Sequence, residues 1–137
     1  MYYIDTCVYM DLWRKDADPK RQDAAKQFIE KCIDDQSTIY YSGFVLKELW
    51  YNLEHADFAN ARALFNTINF EKLIATKQDR TKGMILRWDA SPDLSFFDCM
   101  HIVLSRNTKS MLVTQDKPLI RHAKWNNCRA SKPEGLL

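Results

Sequence analysis

Short runs of strand-forming residues alternate with longer helical segments along this chain, and this alternation restricts it to few folds. The first run, Tyr2 to Ile4, consists of β-formers and predicts a short buried strand. Further strands are predicted at residues 37–42 and 110–114, a strand or an extended linker at 70–76, and a short strand between 128 and 133. Helices are predicted at residues 6–13, 22–34, 44–54, 57–66, 78–88, 95–106 and 116–125. Strands that alternate with helices form βαβ units, so we expect an α/β fold with a mostly parallel sheet.

The composition is that of one folded, soluble domain spanning residues 1–137. Hydrophobic residues make up 46% and charged residues 28%, which argues against a disordered chain. The net charge of +2 does not by itself indicate nucleic-acid binding. The four cysteines form no C-x-x-C pair, so neither a zinc site nor a disulfide framework is expected, and reduced cysteines predict a cytoplasmic location. No apolar stretch is long enough to span a membrane.

Two acidic residues directly follow predicted strands. Asp5 ends the first strand, and Asp116 comes two residues after Thr114, the last residue of the strand at 110–114. Ligands of open α/β sheets bind at the carboxyl ends of the strands, which favours a functional role for both acids. Each is also explained as the N-cap of the helix that follows. Thr114 is either a plain strand residue or a hydroxyl that orients a neighbouring carboxylate or water.

Two further acids lie on predicted helices. Glu48 lies on the flank of the apolar stripe of helix 44–54, so it either tips toward the interior or is a boundary residue whose head reaches water. Asp98 lies in a helix that is apolar almost all round, where an unpaired carboxylate would be costly. Ser95 and Asp98 match a capping box, which would satisfy Asp98 without any function. His101, one turn later, is placed to hydrogen-bond Asp98 and is interpreted as structural rather than as a metal ligand.

If the strands that precede Asp5 and Asp116 are neighbours, all four acids converge on one edge of the sheet. Two carboxylates about 5 Å apart repel each other by roughly 3 kcal/mol at an effective dielectric near 20. Four charged carboxylates therefore stay together only with divalent cations between them. Oxygen-rich sites of this kind suit Mg²⁺ or Mn²⁺.

Four segments together resemble PIN-domain ribonucleases, and most closely the single-domain toxins of VapC-like toxin–antitoxin pairs. The segments are residues 3–8, 42–49, 94–101 and 111–117, and their order and spacing carry the resemblance over essentially the whole chain. It implies a three-layer α/β/α fold with a central, mostly parallel sheet of about four to five strands. It also implies hydrolysis of RNA phosphodiester bonds with Mg²⁺ or Mn²⁺, a cognate antitoxin and a homodimer.

The resemblance assigns roles residue by residue. The family's four acidic, metal-binding positions fall on Asp5, Glu48, Asp98 and Asp116. Its hydroxyl position before the last acid falls on Thr114, and its small polar position after the first acid falls on Thr6. Cys7 stands where the family often has Asn or Ser, which puts one supporting hydrogen bond in doubt. Asp93 is a nearby acid that could substitute for one of the four.

Rival functions make different demands on the sequence. A catalytically silent PIN-like module would keep the acids for structure and bind RNA or a protein without cutting. A receiver-like, phospho-accepting domain would need a second acid after the first strand, where only Asp5 is present. A dinucleotide-binding enzyme is disfavoured because none of the three glycines lies in a G-x-G-x-x-G motif. Four basic residues are either phosphate contacts near the site edge or plain surface charges: Arg14, Lys15, Lys117 and Arg121.

Overall fold

Five parallel strands form the central sheet of the computed structural model, which describes residues 1–137. The strands are β1 (Tyr2–Ile4), β2 (Ile39–Ser42), β3 (Phe70–Leu73), β4 (Met111–Val113) and β5 (Ala130–Ser131). Their spatial order is β3-β2-β1-β4-β5, and every neighbouring pair is parallel. The predicted parallel sheet is confirmed, and the segment at 70–76 contains a strand.

Seven α-helices connect the strands and cover the sheet. They are α1 (Thr6–Trp13), α2 (Pro19–Asp34), α3 (Gly43–Asn52), α4 (His55–Phe65), α5 (Lys77–Ala90), α6 (Phe96–Asn107) and α7 (Lys117–Trp125), and a short 3₁₀ helix, Pro133–Leu136, follows β5. The chain runs from β1 through β2 to β3 and then returns past β1 to β4. Because parallel crossovers are right-handed, the helices before β3 and those after it cover opposite faces. The three-layer α/β/α arrangement is therefore confirmed.

Helix α2 begins earlier than predicted. We expected a loop over residues 14–21 and a helix from Gln22, but α2 starts at Pro19. Asp18 caps it, because its carboxylate accepts a hydrogen bond from the Lys20 amide at 2.9 Å. Proline at a first helical position is already preorganised for the helix. The prediction was wrong because it treated this proline as a helix breaker.

Strand β1 lies at the centre of the sheet, and its neighbours are buried with it. Tyr3 and Ile4 are fully buried, as are Leu112 and Val113 of β4. Helix α6 is buried over most of its length, as expected for a helix that is apolar almost all round. None of the helices combines the length and the apolar character that a bilayer span requires.

The pairing of β1 with β4 brings together two strand ends that are far apart in sequence. The register pairs Ile4 with Val113, and the Asp5 amide donates to the Val113 carbonyl at 2.9 Å. Asp5 and Thr114 therefore lie together at the carboxyl edge of the sheet, where parallel α/β sheets bind ligands. Strand β2 lies on the other side of β1, so the start of α3 reaches the same edge.

Asp79 ties the start of α5 to the end of α6. Its carboxylate accepts hydrogen bonds from the Thr76 amide at 2.9 Å and from the side-chain amide of Asn107 at 2.9 Å. Thr76 in turn accepts one from the Asp79 amide at 3.1 Å, which completes a capping box. The hydrogen bond from the Thr76 backbone is the strongest influence on this carboxyl, and it holds the pKa of Asp79 below its ordinary value although burial opposes the shift.

We expect Asp79→Asn to lower the free energy of unfolding at neutral pH by about 1–2 kcal/mol, because it takes the charge out of two hydrogen bonds. Urea denaturation of the variant and the parent chain measures the difference. Asp89→Asn is the matched control. Asp89 is exposed in the same helix, so its replacement should change the free energy of unfolding by less than about 0.5 kcal/mol.

The effect of Asp79→Asn should depend on pH. Because the folded-state pKa of Asp79 is lowered, the carboxylate stabilises the fold above the unfolded-state pKa of about 3.9. That contribution is lost as the pH falls through the lower folded-state value, so the stabilities of the two proteins should converge on acidification. A gap as wide below about pH 3 as at neutral pH would contradict the role of the charge.

Candidate active site

Asp5 lies directly after β1 at the carboxyl edge of the sheet and is 5% exposed. Its Oδ1 accepts a hydrogen bond from the Thr6 amide at 2.8 Å, so Asp5 does cap α1. Its Oδ2 accepts hydrogen bonds from the Thr114 hydroxyl at 2.7 Å and from the Cys7 thiol at 3.1 Å. These three donors hold the carboxylate in one orientation and replace the water that it loses on burial.

The Cys7 thiol supplies the hydrogen bond that the sequence left in doubt. Its Sγ lies 3.1 Å from Oδ2 of Asp5 and 3.4 Å from the Thr114 hydroxyl. Burial, and after it the charge of Asp5, raise the pKa of this thiol well above its ordinary value. The thiol therefore stays protonated at neutral pH and donates to Asp5, as an Asn amide or a Ser hydroxyl would.

Glu48 reaches the same edge from α3. Its Oε1 accepts a hydrogen bond from the Thr6 hydroxyl at 3.0 Å and lies 2.8 Å from Nε2 of His101. The side chain is 28% exposed, so it is turned inward from the flank of the helix as predicted. Thr6 thus contacts both acids, with its amide on Asp5 and its hydroxyl on Glu48.

His101 of α6 is fully buried, and both of its ring nitrogens have partners. Nε2 lies 2.8 Å from Oε1 of Glu48, and Nδ1 lies 2.8 Å from the Tyr3 hydroxyl. Nε2 is also 3.6 Å from Oδ1 of Asp5. The hydrogen bond that we expected between His101 and Asp98 is not formed, and that prediction was wrong, because residues of α3 and β1 hold the imidazole instead.

The charges around His101 favour its protonated form. Burial lowers the pKa of the imidazole, but the hydrogen bond to Glu48 and the charges of Asp5 and Glu48 outweigh it, so the pKa lies above its ordinary value. An imidazolium donates to Glu48 and to the Tyr3 oxygen, which leaves the Tyr3 hydroxyl to donate to Ser42 at 2.7 Å. The positive charge offsets part of the repulsion between the two carboxylates.

Asp5, Glu48 and His101 form a compact group of potential metal ligands. One donor atom of each lies within 4.8 Å of the donor atoms of the other two. Carboxylate oxygens suit hard cations such as Mg²⁺ and Mn²⁺. The donor set therefore fits a divalent cation, with the carboxylates as the more available ligands because Tyr3 and Glu48 already occupy both imidazole nitrogens.

Asp98 begins α6, and it forms the capping box that its sequence pattern suggested. Its Oδ2 accepts a hydrogen bond from the Ser95 amide at 3.1 Å, and its own amide donates to the Ser95 hydroxyl at 3.1 Å. Burial, opposed by the Ser95 amide and reinforced by the charge of Asp5, raises the pKa of Asp98. Asp98 is thus close enough to Asp5 to feel its charge, but it lies outside the compact group of three.

Asp116 is the N-cap of α7, which was the structural explanation offered for this acid. Its Oδ1 accepts a hydrogen bond from the Leu119 amide at 3.2 Å. Its backbone amide donates to the Thr114 hydroxyl at 3.1 Å, and that hydroxyl donates to Asp5 at 2.7 Å. Thr114 therefore bridges the two acids at the ends of β1 and β4, although Asp116 also lies outside the compact group.

Three of the four acids keep one carboxylate oxygen that accepts no hydrogen bond from the protein. These atoms are Oε2 of Glu48, Oδ1 of Asp98 and Oδ2 of Asp116. The only fully buried polar side-chain atom without a partner is the Tyr9 hydroxyl, so all three oxygens are accessible to solvent. They are free to bind an ion.

Asp93, the acid that could have replaced one of the four, is engaged elsewhere. Its Oδ2 lies 3.0 Å from Nε2 of His122 and 3.4 Å from the Arg121 guanidinium. The hydrogen bond to His122 is the main reason that the pKa of Asp93 is lowered. Arg14 lies 3.6 Å from Asp16 in a similar surface pair. Two of the four basic residues considered as phosphate contacts, Arg14 and Arg121, are therefore already paired with acids.

The roles of Tyr3 and Ser42 in the site were not predicted from the sequence. Tyr3 was treated only as a strand former and Ser42 only as the end of a strand, yet their hydroxyls continue the hydrogen-bonded chain from His101. The available signal was position: Tyr3 lies on β1 two residues before Asp5, and Ser42 ends the strand next to it. Which buried hydroxyl meets which ring depends on packing between three elements, and no sequence spacing encodes it.

Two sequence comparisons were made with known proteins. The family model described as PIN domain matches residues 2–124, whereas no curated protein matches the sequence.

Solved structures with a similar fold include three from toxin–antitoxin systems or related complexes. VapBC2 from Rickettsia felis, solved bound to a DNA fragment from its promoter, has a TM-score of 0.70 and 16% identity over 96% of this chain and 97% of that one. FitAcB from Neisseria gonorrhoeae has a TM-score of 0.65 and 11% identity over 98% and 99%. VapC20 from Mycobacterium tuberculosis, a sarcin–ricin loop cleaving toxin, has a TM-score of 0.64 and 18% identity over 82% and 87%. These likenesses show the fold.

The chain offers a matched pair of buried tyrosines for testing the hydrogen-bonded chain. Tyr3 and Tyr9 are both fully buried, but only the Tyr3 hydroxyl has partners. We expect Tyr3→Phe to lower the free energy of unfolding by about 1–3 kcal/mol, because it leaves buried groups of His101 and Ser42 without a partner. Tyr9→Phe should be neutral or stabilising, because it removes a hydroxyl that is already unpaired. Urea denaturation measures both, and equal losses would contradict the role given to Tyr3.

Proposed function

This chain belongs to the PIN domain family, and from that premise we propose that it is a Mg²⁺- or Mn²⁺-dependent endoribonuclease and the toxin of a toxin–antitoxin pair. In this proposal residues 1–137 act as one nuclease domain. The observation that supports it most is the placement of Asp5 beside Glu48. The two carboxylates come from separate elements, meet at the ligand-binding edge of the sheet and have donor atoms within 4.8 Å of each other and of His101.

The ions are held in this proposal by four carboxylates, those of Asp5, Glu48, Asp98 and Asp116. The solvent-accessible oxygens of the last three support that assignment, as does the raised pKa of Asp98, whose charge is disfavoured by burial until a cation lies near it. These carboxylates would hold a divalent cation, whose chemistry would be to lower the pKa of a bound water so that hydroxide is available near neutral pH for attack on a phosphodiester.

The other residues of the site position these carboxylates. Thr114 and Cys7 fix the orientation of Asp5, and Thr6 and His101 fix that of Glu48. Partners of this kind determine how a ligand presents its oxygen, and losing one typically costs about 10–100-fold in metal affinity or activity. We assign His101 to this supporting set rather than to the ligands, because it already binds Tyr3 and Glu48.

A catalytically silent module remains the second candidate, and one observation favours it. Three of the four acids have structural work without any ion: Asp5 and Asp116 cap helices, and Asp98 completes a capping box. A chain that only bound RNA or a protein would have reason to keep them. Glu48 has no such role in a helix cap, which favours the nuclease.

Two observations support partner proteins: the complexes formed by structurally similar proteins and the exposed apolar side chains of this chain. VapC20 is a toxin that cleaves the sarcin–ricin loop, and both VapBC2 and FitAB were solved bound to DNA. We propose that this chain likewise acts on RNA, is held by a cognate antitoxin and forms a homodimer. Exposed apolar side chains suit such contacts, and they include Trp50 and Tyr51 of α3 and Met84, Ile85 and Trp88 of α5.

We expect Mn²⁺ or Mg²⁺ to raise the melting temperature of the protein, because an ion that binds only the folded state stabilises it by about 2.7 kcal/mol at a concentration of 100 times its Kd. Asp5→Asn should lose most of this increase. Asparagine still caps a helix well, and the melting temperature of the variant without metal checks that it folds. Asp93→Asn is the control and should keep the full increase, since Asp93 is paired with His122 and Arg121. A metal effect that Asp5→Asn retains would contradict the site.

We expect Asp98→Asn to reduce Mg²⁺-dependent cleavage of RNA by at least about 100-fold, because it replaces a charged ligand by a neutral amide of the same shape. The amide oxygen can still accept from Ser95, so α6 should keep its cap. Cleavage of a labelled total RNA, with Mg²⁺ and with EDTA, measures the effect. Unchanged cleavage by the variant would rule out Asp98, and no cleavage by the parent chain under any metal would favour the silent module.

A further inference from the structure

An open groove of about 410 Å³ lies beside the candidate active site. Three phenylalanines and three basic residues line it, namely Phe44, Phe96, Phe97, Lys47, Lys72 and Arg80, together with Gly43 and the apolar segment 73–75 at the end of β3. We call it the phenylalanine groove. None of the residues that line it takes part in the hydrogen bonds described for the four acids.

The three aromatic rings form one cluster. The Phe44 ring lies 5.1 Å from that of Phe97 and 6.1 Å from that of Phe96, in edge-to-face arrangements. All three side chains are only partly buried, because the groove is open. A partly exposed aromatic cluster gives a flat nucleobase a surface on which to stack, and every base can use it because every base has a π-face.

The charge of the groove is entirely positive. Lys47, Lys72 and Arg80 are exposed, and no acidic residue lines the groove. None of the three takes part in an ion pair, although the Arg80 guanidinium lies 5.6 Å from the centre of the Phe44 ring. The pocket lined by Arg14 and Lys15 is different, because it also contains three acids: Asp16, Glu54 and Asp57.

The groove and the acids share two helices. Lys47 immediately precedes Glu48 on α3, and Phe97 immediately precedes Asp98 on α6. Gly43, the first residue of α3, also lines the groove, and a side chain there would meet open space. The groove and the acids are therefore neighbours along both helices.

We propose that the phenylalanine groove holds single-stranded RNA next to the bond that is cut, with unpaired bases against Phe44 and Phe97 and phosphates against Lys47, Lys72 and Arg80. The proposal rests on the ribonuclease function proposed above and assigns residues outside the four acids to holding the substrate. Positive charge without any carboxylate matches a phosphate backbone, and stacking requires bases that are not already paired in a helix.

The first test measures binding without cleavage. A short, labelled single-stranded RNA is titrated with the protein in EDTA and followed by fluorescence anisotropy over a range of salt concentrations. The variant Lys47→Gln, Lys72→Gln, Arg80→Gln should bind at least about tenfold more weakly, and its slope of log K against log salt should be shallower by about 2, at about 0.7 for each lost phosphate contact. The matched control removes three exposed charges outside the groove: Lys20→Gln, Lys26→Gln, Lys124→Gln.

The second test concerns stacking. Phe97→Leu keeps the side chain apolar and close in volume, so the fold should survive, and the melting temperature checks this. Phe97→Leu should bind single-stranded RNA about tenfold more weakly than the parent chain does. The two proteins should bind equally to a strand of the same length that has abasic positions. A duplex of the same sequence should bind the parent chain and Phe97→Leu equally, because its bases are not available.

The outcomes separate this inference from the proposed function. If the groove variant and its control bind RNA equally, or if the parent chain binds no RNA in EDTA, the groove is not an RNA site and is left to a protein partner, whatever the cleavage assay shows. If the groove variant alone loses affinity while the parent chain cleaves nothing with any metal, the RNA site stands and the nuclease does not.

Discussion

Hydrogen bonding to the buried carboxylate of Asp5 is the interaction on which the rest of the structure depends. A charge that is 5% exposed is tolerated only with donors around it, and Thr6, Cys7 and Thr114 provide three. They come from the start of α1 and the end of β4, so satisfying one acid also fixes how the central strands are joined to the elements that follow them. The edge of the sheet is organised around a single charged group.

His101 extends that organisation into a second layer. Its ring connects α6 to Glu48 of α3 on one side and to Tyr3 of β1 on the other, and Tyr3 passes the contact to Ser42 of β2. Two neighbouring strands and two helices are joined by hydrogen bonds, and three of the four side chains involved, those of Tyr3, Ser42 and His101, are buried. Such a fully satisfied polar network rigidifies a core and specifies one arrangement of it, which holds Glu48 in place beside Asp5.

The fold was accessible from the sequence because it follows from local patterns: alternating strand and helix signals predict the parallel sheet. Convergence of the acids was conditional on which strands are neighbours, and the pairing of β1 with β4 in the structure places Asp5 next to Thr114. The contacts of His101 were not accessible: spacing along α6 pointed to Asp98, but packing against α3 and β1 decided the partner. The phenylalanine groove was likewise not predictable, because its basic and aromatic residues come from four separate elements. A net charge of +2 gives no indication of a local cluster of three positive charges.

The distance along the chain between Asp5 and its Thr114 donor is 109 positions. Contacts that close so large a loop form late, since the chain entropy lost in closing it is recovered only when both strands are present. A growing polypeptide therefore carries Asp5 for most of its synthesis without the hydroxyl that orients it and without Asp116. The edge of the sheet that carries the four acids is therefore complete only once the chain has been made as far as Asp116.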